Sequence, residues 1–289
     1  MLIRQGSWDD FPRVHDVHLQ TSRATAEPQF TLEQLREYWT RPSFDPARDL
    51  WVAEHGDGPL VGFAHLHADQ AMHVRARPGS DGVHAALLAV VEKAARDRGY
   101  EWVAATVTDA DADACRAFEA AGYVVQREVW RMWVGHEEEP PPASFGPGIA
   151  VRTYEAADAD AVHALLDHAY CGWDEAYVPL AHDDWLAFMT GSESFDPECW
   201  FLAEADGGLA GVCLNWKEGW VKDLAVRPSW RRQGLGEALL RHTFHELHRR
   251  GVSRIGLKVD ADNSTGAPRL YERLGFVTDR RYPTYSRRL

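Results

Sequence analysis

The chain is written twice, and that constrains its fold more than any other feature. Ser43-Phe44-Asp45-Pro46 recurs as Ser194-Phe195-Asp196-Pro197, an offset of 151. Ala53-Glu54 recurs as Ala203-Glu204, and Arg77-Pro78 as Arg227-Pro228, both at an offset of 150. Phe118-Glu119 followed by Gly122-Tyr123 answers Tyr271-Glu272 followed by Gly275-Phe276, at 153. Matches in one order at a nearly constant offset describe two homologous domains, and so long a period excludes a solenoid. A length of 289 residues agrees, at roughly 100–200 residues per domain. Between the copies, Glu137-Glu138-Glu139-Pro140-Pro141-Pro142-Ala143-Ser144-Phe145-Gly146-Pro147-Gly148 has no hydrophobic period. Its prolines stiffen it and its glutamates solvate it. The expected division is therefore a domain over 1–136, a linker over 137–148 and a domain over 149–289.

The second copy reads as a strand at 149–153, helices at 156–170 and 183–190, and strands at 200–205, 209–216 and 220–226. A helix over 234–251, a strand over 254–259, a helix over 266–274 and a terminal strand region bent at Pro283 follow. Interleaved strands and helices with a hairpin signal at Asp206-Gly207-Gly208 predict an α+β class with a mixed sheet. The formal net charge of −13 removes the basic face that a general nucleic-acid binder requires. No apolar run reaches the ~18 residues of a membrane span, and the N-terminus turns polar at once, unlike a signal peptide. Cys115, Cys171, Cys199 and Cys213 show no CxxC or CxH spacing. A cytoplasmic protein with buried thiols and no metal centre is expected.

The most informative segment runs from Val221 to Gly236. An apolar strand leads through Arg227-Pro228 into Arg231-Arg232-Gln233-Gly234-Leu235-Gly236-Glu237, which opens a helix. The first amides of a helix have no intrahelical acceptor and carry the positive end of its dipole. Glycines let a bulky phosphate approach them, and two arginines add full charges, so the segment suits a pyrophosphate. No Lys-Ser or Lys-Thr makes it a Walker A loop, and no GxGxxG makes it a dinucleotide fingerprint.

Arg231-x-x-Gly234-x-Gly236 after a strand resembles the acetyl-CoA pyrophosphate motif of the GNAT (Gcn5-related) N-acetyltransferases. Lys258-Val259-Asp260-Ala261-Asp262-Asn263, with Ala267 and Leu270-Tyr271-Glu272-Arg273-Leu274-Gly275-Phe276, is similar to that family's second motif. The resemblance covers 149–289 and implies two tandem GNAT-like domains, each a mixed, mostly antiparallel sheet flanked by helices. It also implies acetyl transfer from acetyl-CoA to an amine by direct attack on the thioester. Arg231, Arg232, Gln233, Gly234, Leu235, Gly236 and Glu237 would cradle the pyrophosphate. The main chain of Leu224, Ala225 and Val226 would bind the pantetheine arm, with the Leu224 N–H facing the thioester carbonyl. Asn263 would contact the arm, and Tyr271 would protonate the departing thiolate. The tandem arrangement, with Trp216-Lys217 before the motif strand and Val259-Asp260-Ala261-Asp262-Asn263 after it, resembles the mycothiol synthase type.

Two points stay open. Many family members carry a glutamate four residues before the oxyanion position, where this chain has Trp220; Glu218 and Asp223 are the alternatives for a general base. Tyr170, Trp173, Asp174 and Glu175 mix aromatics with acids, a composition suited to a cationic amine. A small-molecule amine is the expected acceptor, with neither nucleic acid nor membrane as partner. The first copy departs from the motif. Aligned on Gly82 and Gly234, the two arginines become Gly79 and Ser80, Asp81 stands at the phosphate position, and His84 replaces Gly236. Ala110 replaces Asn263 and Phe118 replaces Tyr271, so the first domain reads as degenerate. A non-catalytic double module that binds CoA esters is the alternative to an enzyme.

Overall fold

The structure is a computed structural model that describes residues 1–29, 31–40, 44–56, 58–170 and 180–289. The chain forms two compact units. One comprises Met1–Val129 with Arg280–Leu289, the other Trp130–Asp279.

In the first unit, β1 (Leu2–Gln5) precedes helices α1 (Phe11–Thr25), α2 (Leu32–Trp39) and α3 (Pro46–Asp49). Strands β2 (Leu50–Glu54), β3 (Leu60–Leu66) and β4 (Met72–Ala76) complete an antiparallel sheet in the order β1-β2-β3-β4. Helix α4 (Val83–Asp97), strand β5 (Trp102–Thr106), helix α5 (Ala112–Ala120) and the start of β6 (Val124–Gly135) follow. Helix α4 lays Val83, Leu87, Leu88, Val91 and Ala95 on the sheet, the i, i+4, i+8 stripe of a one-sided helix. Gly62 on β3 permits that approach, because a Cβ there would lie 2.6 Å from Val83 and 2.7 Å from the Arg75 carbonyl.

The second unit repeats this order. It contains β7 (Ala150–Thr153), α6 (Ala159–Tyr170), α7 (His182–Thr190), β8 (Trp200–Ala205), β9 (Gly208–Trp216) and β10 (Trp220–Val226). Helix α8 (Leu235–Arg249), β11 (Arg254–Asp260), α9 (Ala267–Arg273) and the start of β12 (Val277–Arg288) complete it. Strands β7 to β10 are antiparallel neighbours and β11 joins β10 in parallel. One face of the sheet packs on α8 and α9 through Phe201, Cys213, Leu239, Phe244 and Leu257; the other packs on α6 and α7 through Trp200, Leu202, Val212 and Ala225. Gly211 on β9 repeats the role of Gly62, with a Cβ position 3.1 Å from Leu239. The duplication extends to a charge network. Arg4 bonds Asp10 at 2.7 Å and Glu54 at 3.0 Å, and Arg152 bonds Asp158 at 2.6 Å and Glu204 at 2.7 Å. In both copies an arginine of the first strand ties the entry to the first long helix to the end of a neighbouring strand.

The units do not divide where the Pro/Glu-rich segment suggests. Trp130–Gly135 of β6 lies beside β11, and its Met132 and Val134 belong to the second unit's core. Conversely, Thr284–Arg288 of β12 pairs antiparallel with β5 of the first unit. Each copy's last strand thus completes the other copy's unit. Strand β12 runs on through Pro283, whose carbonyl accepts from the Val107 amide at 3.1 Å. A fragment cut at 149–289 lacks Met132 and Val134, each worth about 1.5–3 kcal/mol of buried apolar side chain, and bares the edge of β11. We expect it to aggregate, whereas a fragment starting at Trp130 retains more soluble material. Soluble yield and a circular-dichroism melt of the two fragments check this.

Candidate active site

Gly234 stands at the N-cap of α8 with φ +82°, a left-handed conformation that disfavours any side chain. Arg232 is also left-handed, at φ +62°. No side chain caps the helix, and its first backbone bond is the Ala238 amide to the Gly234 carbonyl at 2.9 Å. The amides of Leu235, Gly236 and Glu237 therefore remain available to an anion. At Gly236 a Cβ would meet Val226 at 3.6 Å and Leu270 at 3.7 Å, so this glycine keeps the approach to those amides low. Arg231 donates from Nε to the Val226 carbonyl at 3.0 Å and braces the turn against the strand end. Gln233 does the same toward the Ser229 carbonyl at 2.9 Å. The Glu237 carboxylate turns to Arg241 at 2.9 Å, leaving only its main chain to the turn.

Strand β10 leaves its parallel neighbour early. Trp220 and Val221 pair with β11, opposite Gly256 and Leu257, whereas the pairing with β9 continues to Val226. On its β11 side the main chain from Lys222 to Val226 thus has no strand partner among the described residues, an open edge that leads to the start of α8. A β-bulge sits at the divergence: Val221 faces Asn215, but Asp223 faces Leu214, so Lys222 is the extra residue. The bulge lets Val221, Leu224 and Val226 all pack toward α8, a three-residue step that a regular strand forbids.

On the other face, the bulge sends Asp223 toward α6. The Tyr170 hydroxyl donates to Asp223 Oδ1 at 2.8 Å, and Lys222 Nζ lies 3.6 Å from Oδ2. Burial raises the Asp223 pKa above the ordinary carboxylate value, against the opposing pull of Lys222 and Tyr170. Tyr271 on α9 is buried, 7% exposed, with its ring 5.6 Å from that of Phe276. Among the described residues its hydroxyl has no hydrogen-bond partner. Burial, then Cys213, then Asp223 hold its pKa above that of a free phenol, so at neutral pH it is a proton-bearing donor.

The remaining expected residues fall elsewhere. Glu218 is exposed in the β9–β10 turn, where it accepts from Ser194 at 3.1 Å. The four strand steps from Trp220 to Leu224, about 13 Å at ~3.3 Å each, lie between that turn and Leu224. Asn263 is half-buried and accepts from the Thr265 amide at 2.9 Å, so its side-chain oxygen shapes the turn into α9. Trp220 packs edge-on to Trp133 at 5.4 Å. Trp173, Asp174 and Glu175 lie outside the described residues. The bulge and the Tyr170–Asp223 bond were missed from sequence, which carries no signal for either.

The first unit keeps a left-handed glycine, Gly82, before α4 but fills the space beyond it. His84 is buried and lies 4.0 Å from Asp111. Phe118, at the position of Tyr271, is fully buried and stacks on Tyr285 at 5.3 Å.

Comparison with known proteins bears on the family of the chain. The family model described as acetyltransferase (GNAT) family matches residues 159–276. A mycothiol acetyltransferase of Cellulomonas flavigena is 30% identical over 91% of this chain and 82% of its own. The crystal structure of a GCN5-related N-acetyltransferase from Sphaerobacter thermophilus superposes with a TM-score of 0.74 at 27% identity, covering 99% of this chain and 95% of that one. A tandem GNAT protein from the clavulanic acid biosynthesis pathway shares the fold, with a TM-score of 0.66 at 17% identity over 99% and 98% of the two chains. The chain is an acyltransferase and belongs to the GNAT family.

Proposed function

We propose that this chain moves an acetyl group from acetyl-CoA to the amine of a small molecule, in the unit Trp130–Asp279. The observation that carries this reading is the open edge of β10 leading to the uncapped amides of α8. GNAT acetyltransferases use acetyl-CoA, and the residues present fit it. The amides of Leu235, Gly236 and Glu237 suit a pyrophosphate, with Arg231 and Arg232 supplying charge. The open β11-side edge over Leu224, Ala225 and Val226, whose last carbonyl already accepts from Arg231, suits an amide-bearing arm. When bound, acetyl-CoA supplies an activated thioester. Leu224 directs its N–H toward the acyl oxygen, Tyr271 holds a proton for the departing sulfur, and Asp223 accepts the proton of the attacking amine. Tyr170 orients that carboxylate, and Asp223 replaces Glu218 as the better base because it is buried at the divergence of β10 and β11.

Release of free thiol from acetyl-CoA, measured over a panel of small amines, tests the reading. The name of the relatives makes unacetylated mycothiol the first acceptor to try. Binding of CoA without thiol release on any amine of the panel would overturn the small-molecule amine as acceptor.

Asp223→Asn should lower turnover by about 10²-fold, the lower end of general-base loss, and remove the acid limb of the pH–rate profile. That limb should lie above the usual aspartate range. Stability should move the opposite way. With the folded pKa above the unfolded one, the unfolded chain ionises first as pH rises, and the folded state loses stability until its own carboxyl ionises. The penalty is full once the folded carboxyl has ionised and absent in acid. Asp223→Asn should therefore raise the melting midpoint at pH 7.5 and leave it unchanged below pH 3.

A further inference from the structure

The first unit holds a cavity of about 260 Å³, lined in part by His18, Leu35, Tyr38, His65, His73 and Arg75. We propose that it is a binding site for a small aromatic monocarboxylate, with the Arg75 guanidinium as its anion-binding group.

Arg75 is the feature that needs explaining. It points into the cavity from β4, and among the described residues no hydrogen-bond or ion-pair partner meets it. Burial works against its charge, with Asp111 and Glu27 acting only from a distance, yet a guanidinium stays protonated in proteins. The other charged group on the wall is already matched. Glu27 accepts from the Tyr282 hydroxyl at 2.9 Å and from Thr108 at 3.3 Å, and pairs with Arg280 at 3.3 Å. The imidazoles add no charge at neutral pH. His73 opens onto the cavity but sits deep enough for desolvation to lower its pKa to about 4; burial lowers His18 to about 3 and holds His65 well below its usual value. One uncompensated positive charge therefore remains.

The internal duplication shows that the fold does not need it. Arg75 faces Phe63 across β3, and in the second unit the matching residue of β10 is Ala225, which faces Val212 and is buried among apolar side chains. A scaffold would keep the alanine, because a half-buried charge that no described residue pairs is costly. A carboxylate supplies the missing partner with two parallel hydrogen bonds to the guanidinium plane. Tyr38, His18, Leu35 and Val107 give the lining aromatic and aliphatic surface, beside the hydroxyls of Ser22, Thr106 and Thr108. At roughly 20 Å³ per packed non-hydrogen atom the volume admits a molecule of about ten to thirteen such atoms, a phenyl ring with a short acid arm.

The full chain should be titrated calorimetrically with benzoate, phenylacetate and 3-phenylpropionate, each against its neutral amide. We expect at least one acid to bind once per chain and about tenfold or more tighter than its amide, the loss of one charge-assisted bond. Arg75→Met should weaken that acid by the same factor, and Arg75→Lys should fall between. A thermal melt and far-ultraviolet circular dichroism like those of the wild type show that both variants, including the first unit, are folded. No binding by any of the acids, equal affinity of acid and amide, or undiminished binding to Arg75→Met would overturn the proposal. So would displacement of the bound acid by acetyl-CoA, which would make the cavity one end of a coenzyme site.

Discussion

Tyr271→Phe should leave acetyl-CoA affinity nearly unchanged and lower turnover by about 10²–10⁴-fold, the scale of lost general-acid catalysis. The geometry separates the two effects. The phenol ring is part of a core cluster with Leu235, Leu257 and Phe276, and phenylalanine keeps that packing. The hydroxyl alone lacks a partner among the described residues, so its removal leaves no protein group unsatisfied. Direct transfer is expected because the buried Cys213 is held by Thr243 at 3.3 Å, its thiol pushed up to about 12 by burial, far from a reactive thiolate. Single-turnover and steady-state rates of thiol release in both proteins check the assignment. A Tyr271→Phe enzyme with wild-type chemistry would refute it, and a transferable acetyl-cysteine trapped without amine would refute direct transfer.

Gly236→Glu should remove acetyl-CoA binding by on the order of 100-fold or more, while the unit stays folded. Gly236 adopts ordinary helical backbone, and a Cβ there makes only van der Waals contact with Val226 and Leu270. The fold therefore accepts a side chain. The site does not, because a carboxylate then stands before the amides of Leu235 and Glu237, where it repels phosphate and blocks charge-assisted bonds worth about 1.5–3 kcal/mol each. Calorimetry should show one site per chain in the wild type, because His84 fills the corresponding space in the first unit. Two equivalent sites would contradict this. Gly234→Ala should act differently, costing about 1–2 kcal/mol of stability through its left-handed backbone. A thermal melt beside each titration distinguishes the two glycines.

The glycine turn was legible in the sequence because everything it needs is contiguous. A strand, a left-handed residue and the first amides of a helix follow one another along the chain, so Arg231-x-x-Gly234-x-Gly236 carries its own geometry. The same holds for the duplication and for the α+β class, which rest on order and periodicity. Tertiary structure decided the rest, because strand partnership is not local. A period of two tells which side chains share a face but not which strand lies alongside, and so the exchange of Trp130–Gly135 and Arg280–Leu289 between units leaves no trace in the hydrophobic pattern. The bulge at Lys222 exists only relative to β9, yet it carries Asp223 to Tyr170 while Glu218 stays in the turn. Arg75, unremarkable in a strand of alternating residues, becomes a charge without a partner among the described residues only once α1, α2 and β5 close a cavity around it.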